Sequence, residues 1–207
     1  MSEPQIIFFL VTSVLVILIP GQDMVLVMSR GMTQGAKAGI TTAAGVSVGL
    51  LGHTLLAALG LGALLLSSEL LFTVLKFMGA AYLAYLGIRL LLTKSTQLKL
   101  ESTDQRPLRR LFIEGALSNI SNPKITIFYF AFLPQFISTD INNPEAYLFV
   151  LGVSFAVLTF LMKAPIGLFA GLASTWIRTR PAVINAINKI SGTLLIGLGL
   201  KLALEQR

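Results

Sequence analysis

Asp23 is the first residue whose type and position could do chemistry. It lies in IPGQDMV, directly after Pro20, Gly21 and Gln22, with apolar residues on both sides of the segment. A carboxylate in such surroundings can hold a proton or the ammonium group of a ligand. The alternative is that a helix ends near Ile19 and leaves Asp23 in cytoplasmic water. The apolar run before the proline is only about 21 Å long as a helix, however, and a bilayer core is about 30 Å thick.

Lys124 is the second such residue, and it also follows a helix-breaking segment. In ISNPKIT, Asn122 is a suitable N-cap and Pro123 a suitable first helical residue, so a new helix is predicted to begin there. The free N–H groups at a helix start attract an anion such as a carboxylate. We expect Lys124 to face Asp23, so that together they could hold the carboxylate and ammonium groups of an α-amino acid. A purely structural pairing is the alternative for Lys124.

Three other ionisable residues are candidates. Lys163, two residues before Pro165, could line a cavity. The predicted substrate and proton pathway comprises the two breaks and this lysine, namely Pro20, Gly21, Gln22, Asp23, Asn122, Pro123, Lys124 and Lys163. Glu114 is expected to be an interfacial carboxylate, and His53 a packing residue with proton relay as the alternative. Cysteine is absent and histidine occurs once, which excludes thiolate and multi-histidine metal sites. No metal site and no cofactor are expected.

The elements that position these residues are predicted to be membrane helices. Hydrophobic residues make up 55% of the chain and charged residues 12%, whereas about a quarter of a soluble domain is charged. Because about 20 apolar residues cross a bilayer as a helix, the sequence predicts six transmembrane helices. They lie near 6–28, 38–66, 70–92, 111–137, 147–173 and 183–204. The amino terminus has an acid and no basic residue, so a removable signal peptide is not expected.

The two halves of the chain resemble each other. GVSVGLLG at Gly45 aligns with GVSFAVLT at Gly152, and KFMGAAYLAYLGIRL at Lys76 aligns with KISGTLLIGLGLKL at Lys189. Three helices per repeat is an odd number, so the second repeat enters the membrane from the opposite face. We therefore predict an all-α integral membrane protein of two inverted three-helix repeats, with helices 1 and 4 broken near the midplane. Its single transporter domain, 1–207, would comprise repeat one (about 1–92), a basic cytoplasmic loop (93–110) and repeat two (about 111–207).

Positive charge alternates between successive connectors, and connectors rich in lysine and arginine favour the cytoplasm. The first, third and fifth connectors are the basic ones, which places both termini outside the cytoplasm. The net charge of +7 is explained by this topology, and no nucleic-acid partner is expected because no basic patch is interleaved with aromatic residues. Close glycine spacings suit helix packing within one chain or in a homodimer. They are Gly35/Gly39, Gly45/Gly49 and Gly167/Gly171.

Two stretches resemble the signatures of the lysine exporter and homoserine/threonine resistance (LysE/RhtB) family. The first signature, P-G-P-D followed by R-G and spaced glycines, is similar to PGQDMVLVMSRGMTQGAKAGITTAAGVSVG, and the second to NPKITIFYFAFLPQF. The resemblance covers essentially the whole chain. Gln22 stands where the family commonly has proline, which could soften the first break without removing Asp23.

The resemblance implies a multi-pass secondary transporter in the bacterial inner membrane. It would export amino acids or close derivatives of the homoserine, threonine or homoserine lactone type, by antiport with protons. The alternatives are export of another small solute or a metal ion on the same scaffold, or an intramembrane enzyme. Few carboxylates and no thiols at membrane depth argue against a metal ion. The enzyme is disfavoured because H-E-x-x-H, an evident Ser/His pair and paired aspartates are all missing.

Overall fold

The computed structural model describes residues 3–19, 21–67, 69–93, 105–137, 143–178 and 181–204. Every regular element in these residues is helical, which confirms the predicted all-α class. The elements are α1 (Glu3–Leu18), α2 (Gln22–Gln34), α3 (Ala36–Ser67), α4 (Glu69–Leu92), α5 (Leu108–Ile120), α6 (Pro123–Phe132) with a following 3₁₀ turn (Leu133–Phe136), α7 (Pro144–Arg178) and α8 (Pro181–Leu204).

The first predicted break separates α1 from α2. Gly21 between them has extended backbone, with φ −138° and ψ −174°, and α2 begins at Gln22. The two helices are bent by 57° relative to each other. Pro20, which the sequence places at this break and in the site, lies outside the described residues.

The second predicted break separates α5 from α6. The side chain of Asn122 accepts a hydrogen bond from the Lys124 backbone N–H at 3.1 Å, and Pro123 is the first residue of α6. The predicted N-cap and first helical residue are therefore confirmed. A proline suits this position because it has no N–H to leave unpaired.

Three described helices are long and apolar enough to cross a bilayer unaided. They are Ala36–Gly60, Thr73–Leu92 and Pro144–Ala170, and the bent α1–α2 pair adds a fourth if it forms one broken span. The predicted arrangement has six spans, with α5–α6 as a second broken span and α8 as the last.

The start of α6 is held in place by aromatic packing on the same helix. Phe128 stacks on Phe132 with ring centroids 4.7 Å apart, and its ring lies 4.9 Å from that of Phe155 on α7. Tyr129 is fully buried and donates a hydrogen bond from its hydroxyl to the Gly152 carbonyl oxygen at 3.2 Å. Large buried aromatic side chains fix orientation as well as burying apolar area. The helix start at Pro123 is thereby positioned against α7.

Glycines bring α3 backbone to backbone with its neighbours. A Cβ on Gly167 of α7 would lie 2.6 Å from the Gly39 carbonyl carbon, and a Cβ on Gly49 would lie 2.6 Å from the Ala116 carbonyl oxygen of α5. Small residues permit such close approach between membrane helices. These glycines are used within one chain, so their spacing gives no support to a homodimer.

Gly167→Ala is expected to destabilise the protein because a methyl group cannot fit between α3 and α7. Overpacking of this kind costs about 1–3 kcal/mol. The matched control is Gly60→Ala on α3, where a Cβ meets nothing within 4 Å. Thermal unfolding in detergent should show a lower midpoint for Gly167→Ala than for Gly60→Ala. Equal midpoints would contradict the packing described for α3 and α7.

Candidate functional site

Asp23 is buried where α2, α5 and α7 meet. It is 2% exposed, and its Oδ2 accepts a hydrogen bond from Asn119 Nδ2 at 2.7 Å. Ser118 Oγ donates to its Oδ1 at 3.2 Å, and Lys163 Nζ lies 3.5 Å from Oδ2. A buried carboxylate is tolerated when it is paired and hydrogen-bonded. The alternative in which Asp23 lies in cytoplasmic water does not agree with this burial.

The ion-pair partner of Asp23 among the described residues is Lys163 and not Lys124, which corrects the expectation that Asp23 and Lys124 face each other. Lys163 is 4% exposed and needs a counter-ion at that depth. The close packing of α7 against α2 and α3 brings its ammonium group to Asp23.

Lys124 instead reaches the carboxyl end of α1. Its Nζ donates to the carbonyl oxygens of Val16 at 3.3 Å and Ile19 at 3.4 Å. The last carbonyls of a helix have no partner within the helix, and a cation there is also favoured by the helix dipole. A Cβ on Gly21 would lie 3.2 Å from this Nζ, so glycine leaves room for the ammonium group between the two breaks. Lys124 therefore has a structural partner, which was the alternative given for it from the sequence.

A cavity of about 630 Å³ opens between the two breaks and the helices α4 and α8. This volume falls within the range typical of small-molecule sites. Five of the predicted site residues line it, namely Gly21, Gln22, Asn122, Pro123 and Lys124. The predicted residues Asp23 and Lys163 do not line the cavity and form the buried ion pair beside it. The residues predicted as one site therefore form two neighbouring centres.

A short chain of hydrogen bonds connects the cavity to the buried pair. Gln22 Nε2 donates to Ser118 Oγ at 3.2 Å, and Ser118 Oγ in turn donates to Asp23 Oδ1 at 3.2 Å. Gln22 is exposed in the cavity wall, whereas Asp23 is buried. A change in the charge of Asp23 can therefore be transmitted to a cavity residue through a single hydroxyl group.

Glu114 and His53, the two remaining candidates, both have polar contacts with other described residues. Glu114 is partly buried and forms ion pairs with Arg30 at 3.0 Å, Arg110 at 3.2 Å and Arg106. These contacts tie α2, α5 and the segment before α5 together. His53 is buried, its ring lies 5.6 Å from that of Tyr129, and its Nε2 lies 3.2 Å from the Asn119 carbonyl oxygen.

Several residues of both centres were not singled out from the sequence. Ser118 and Asn119 precede the second break, and two adjacent polar residues in an apolar helix were a usable signal there. Arg89 and Asn188 line the cavity from α4 and α8. Nothing in a uniformly apolar helix indicates which side faces a cavity, so these two residues could not be assigned.

Apolar helices, two helix breaks facing a small-molecule cavity and a buried ion pair beside them define a membrane transporter. The sequence profile of the LysE type translocator family matches residues 14–206, and the chain belongs to this family. This confirms the resemblance found in the sequence. It also makes the chain a transporter and not an enzyme.

Similar proteins span the chain almost completely. An uncharacterized membrane protein, YrhP, of Bacillus subtilis (strain 168) is 32% identical over 97% of this chain and 99% of its own length. The leucine efflux protein of Klebsiella pneumoniae subsp. pneumoniae is 29% identical over 96% of this chain and 94% of its own length. An uncharacterized membrane protein of Vibrio cholerae serotype O1 is 30% identical over 94% of both chains. No solved structure matches this chain.

Proposed function

We propose that this protein exports zwitterionic α-amino acids with apolar side chains from the bacterial cytoplasm across the inner membrane, by antiport with protons. The observation that carries the proposal is the cavity between the two helix breaks, whose wall contains Lys124 and is hydrogen-bonded through Gln22 and Ser118 to Asp23. The leucine efflux proteins of Klebsiella pneumoniae and Salmonella typhimurium, 29% and 27% identical to this chain, support the same class of substrate.

The polar part of the cavity suits a carboxylate. Lys124 and Arg89 bring two positive charges to its wall, and the positive end of the α6 dipole lies there as well. The N–H groups of Lys124 and Ile125 are already bonded to Asn122, so the free N–H groups expected at this helix start are not available. None of the residues described as lining the cavity is an aspartate or a glutamate. A basic side chain would therefore meet two cations without a counter-ion, so lysine and arginine are disfavoured as substrates.

The remaining wall suits an apolar side chain. It includes four aliphatic residues, Ile19, Leu86, Leu90 and Ile127, and the aromatic residues Tyr82 and Tyr85. Burying a leucine side chain against such a surface gains about 1.5–3 kcal/mol. Homoserine and threonine, which the sequence resemblance favours, are the second candidates, since they share the α-amino acid group and differ in the side-chain hydroxyl.

The buried pair of Asp23 and Lys163 is proposed as the proton site. When Asp23 takes up a proton, Lys163 loses its counter-ion. The hydrogen bond from Ser118 to Asp23 also weakens, because ionised acceptors form stronger hydrogen bonds than neutral acceptors. The change reaches the cavity wall through Gln22. Release of substrate can thus be linked to protonation of Asp23.

The chain is proposed to form a single transporter domain of six spans in two inverted repeats. The contacts of α4 with α8 support this arrangement. A Cβ on Gly192 would lie 2.7 Å from the Gly87 carbonyl oxygen, and a Cβ on Gly199 would lie 2.8 Å from the Ala80 carbonyl oxygen. The repeat alignment pairs Gly87 with Gly199 and Gly192 with Gly79, the neighbour of Ala80, so exchanging the repeats exchanges the two contacts to within one residue.

Both termini are proposed to lie outside the cytoplasm. The chain has no cysteine, so single cysteines can be introduced without removing others. An impermeant thiol reagent applied to intact spheroplasts should label Ala146→Cys, at the start of α7, and leave Gln105→Cys, before α5, unlabelled. Both positions are exposed, which makes them a matched pair. Labelling of Gln105→Cys alone would reverse the proposed orientation.

The substrate class is tested by measuring free amino acids inside cells that overproduce the protein, after feeding with dipeptides containing leucine, threonine or lysine. Internal leucine should fall most relative to cells without the protein, and lysine should not change. A fall in threonine or homoserine alone would favour the second candidates. Unchanged levels of every amino acid would refute export of this class.

A further inference from the structure

Asn188 on α8 is a buried polar residue of the cavity wall whose amide oxygen has no partner. It is 4% exposed and lines the cavity, and its Oδ1 is buried without a hydrogen bond to any described residue. An unpaired buried acceptor is unfavourable and calls for an explanation. A ligand that donates a hydrogen bond inside the cavity would supply the missing partner.

Besides the hydroxyl groups of Tyr82, Tyr85 and Thr93, the polar residues of the described cavity wall are two cations and three amides. Lys124 and Arg89 can only donate hydrogen bonds. Asn122 Oδ1 already accepts from the Lys124 backbone N–H, and Gln22, whose Nε2 donates to Ser118, is exposed, so water can satisfy its amide oxygen. Among the amide side chains of the described wall, Asn188 is the buried one whose oxygen accepts no hydrogen bond.

We propose that Asn188 binds the α-ammonium group of the substrate and is the residue that selects amino acids over acids lacking the amino group. This inference rests on the proposed function. An amide is suited to the role because it accepts hydrogen bonds without a negative charge. A carboxylate here would be attracted to Lys124 and Arg89 and would compete with the carboxylate of the substrate.

The test compares binding of L-leucine with binding of 4-methylpentanoate, which has the same carbon chain and carboxylate but no amino group. Binding of each to the purified protein in detergent is measured by calorimetry. Asn188→Ala is expected to weaken leucine binding roughly 10-fold and to leave 4-methylpentanoate binding unchanged, because only the ammonium contact is removed. Asn185→Ala removes an amide on the same helix outside the cavity lining, and both affinities should then match the unmodified protein.

Asn188→Ser keeps an oxygen acceptor on a shorter side chain, so its affinity for leucine should fall less than that of Asn188→Ala. This variant provides a second measurement if the alanine variant folds poorly. An equal weakening of both ligands, or no change in the ratio of their affinities, would overturn the role of Asn188 and leave the proposed function standing. If the unmodified protein bound neither leucine nor threonine, the proposed function would fail and this inference with it.

Discussion

Asp23→Asn is expected to abolish uphill amino-acid export driven by a pH gradient. Asparagine has nearly the same size and can still accept a hydrogen bond from Asn119 or Ser118, but it cannot take up and release a proton. Proton movement and substrate movement should then be uncoupled. The measurement is accumulation of labelled leucine in proteoliposomes with an imposed pH gradient.

Asp23→Asn leaves the charge of Lys163 buried without a partner, and the matched control removes that charge as well. Removing one partner of a buried ion pair typically costs about 3–5 kcal/mol, so Asp23→Asn alone should also be less stable. The double variant Asp23→Asn with Lys163→Gln removes both charges and should recover stability without recovering uphill export. Asp23→Glu should retain part of the activity. Uphill export by Asp23→Asn at the unmodified rate would mean that Asp23 is structural.

Lys124→Met is expected to weaken binding of leucine and of 4-methylpentanoate together. Both ligands carry the carboxylate that Lys124 is proposed to bind, and a hydrogen bond to a charged group contributes about 1.5–3 kcal/mol, or roughly 10- to 150-fold in affinity. Methionine has a similar length and no charge. Calorimetry with both ligands measures the effect.

Lys189→Met is the matched control for this second variant. Lys189 is exposed on α8 and does not line the cavity, so its loss should leave both affinities unchanged. A small loss of stability is expected for Lys124→Met alone, because the Val16 and Ile19 carbonyl oxygens lose their donor. Unchanged affinity together with lower stability would show that Lys124 serves only to hold the end of α1.

The sequence was sufficient to predict the helices and both breaks because these depend on local chemistry. Long apolar runs locate the helices, and Asn122 followed by Pro123 has the geometry of a cap and first turn wherever the helix packs. Gly21 between α1 and α2 is similarly local. The boundaries of α3 and α4 accordingly lie within a few residues of those predicted.

The partner of Asp23 could not be predicted in the same way. Asp23 and Lys124 occupy corresponding places in the two halves, but correspondence in a repeat does not require contact. The pair with Lys163 depends on how α7 crosses α2, where a Cβ on Gly31 of α2 would clash with the Gly167 carbonyl oxygen. Arg89 and Asn188 were missed for a related reason: lipid and protein interior are equally apolar, so hydrophobicity does not mark the inner face of a membrane helix.

The most direct test of proton-coupled amino-acid export follows leucine and protons together in proteoliposomes containing the unmodified protein. Vesicles with an acidic interior are given labelled leucine outside, and internal pH is recorded while the label accumulates. We predict that leucine accumulates above its external concentration, that the interior becomes more alkaline faster than in vesicles without leucine, and that a protonophore abolishes both effects. Leucine movement that proceeds equally without a gradient, with no change in internal pH, would contradict the coupling.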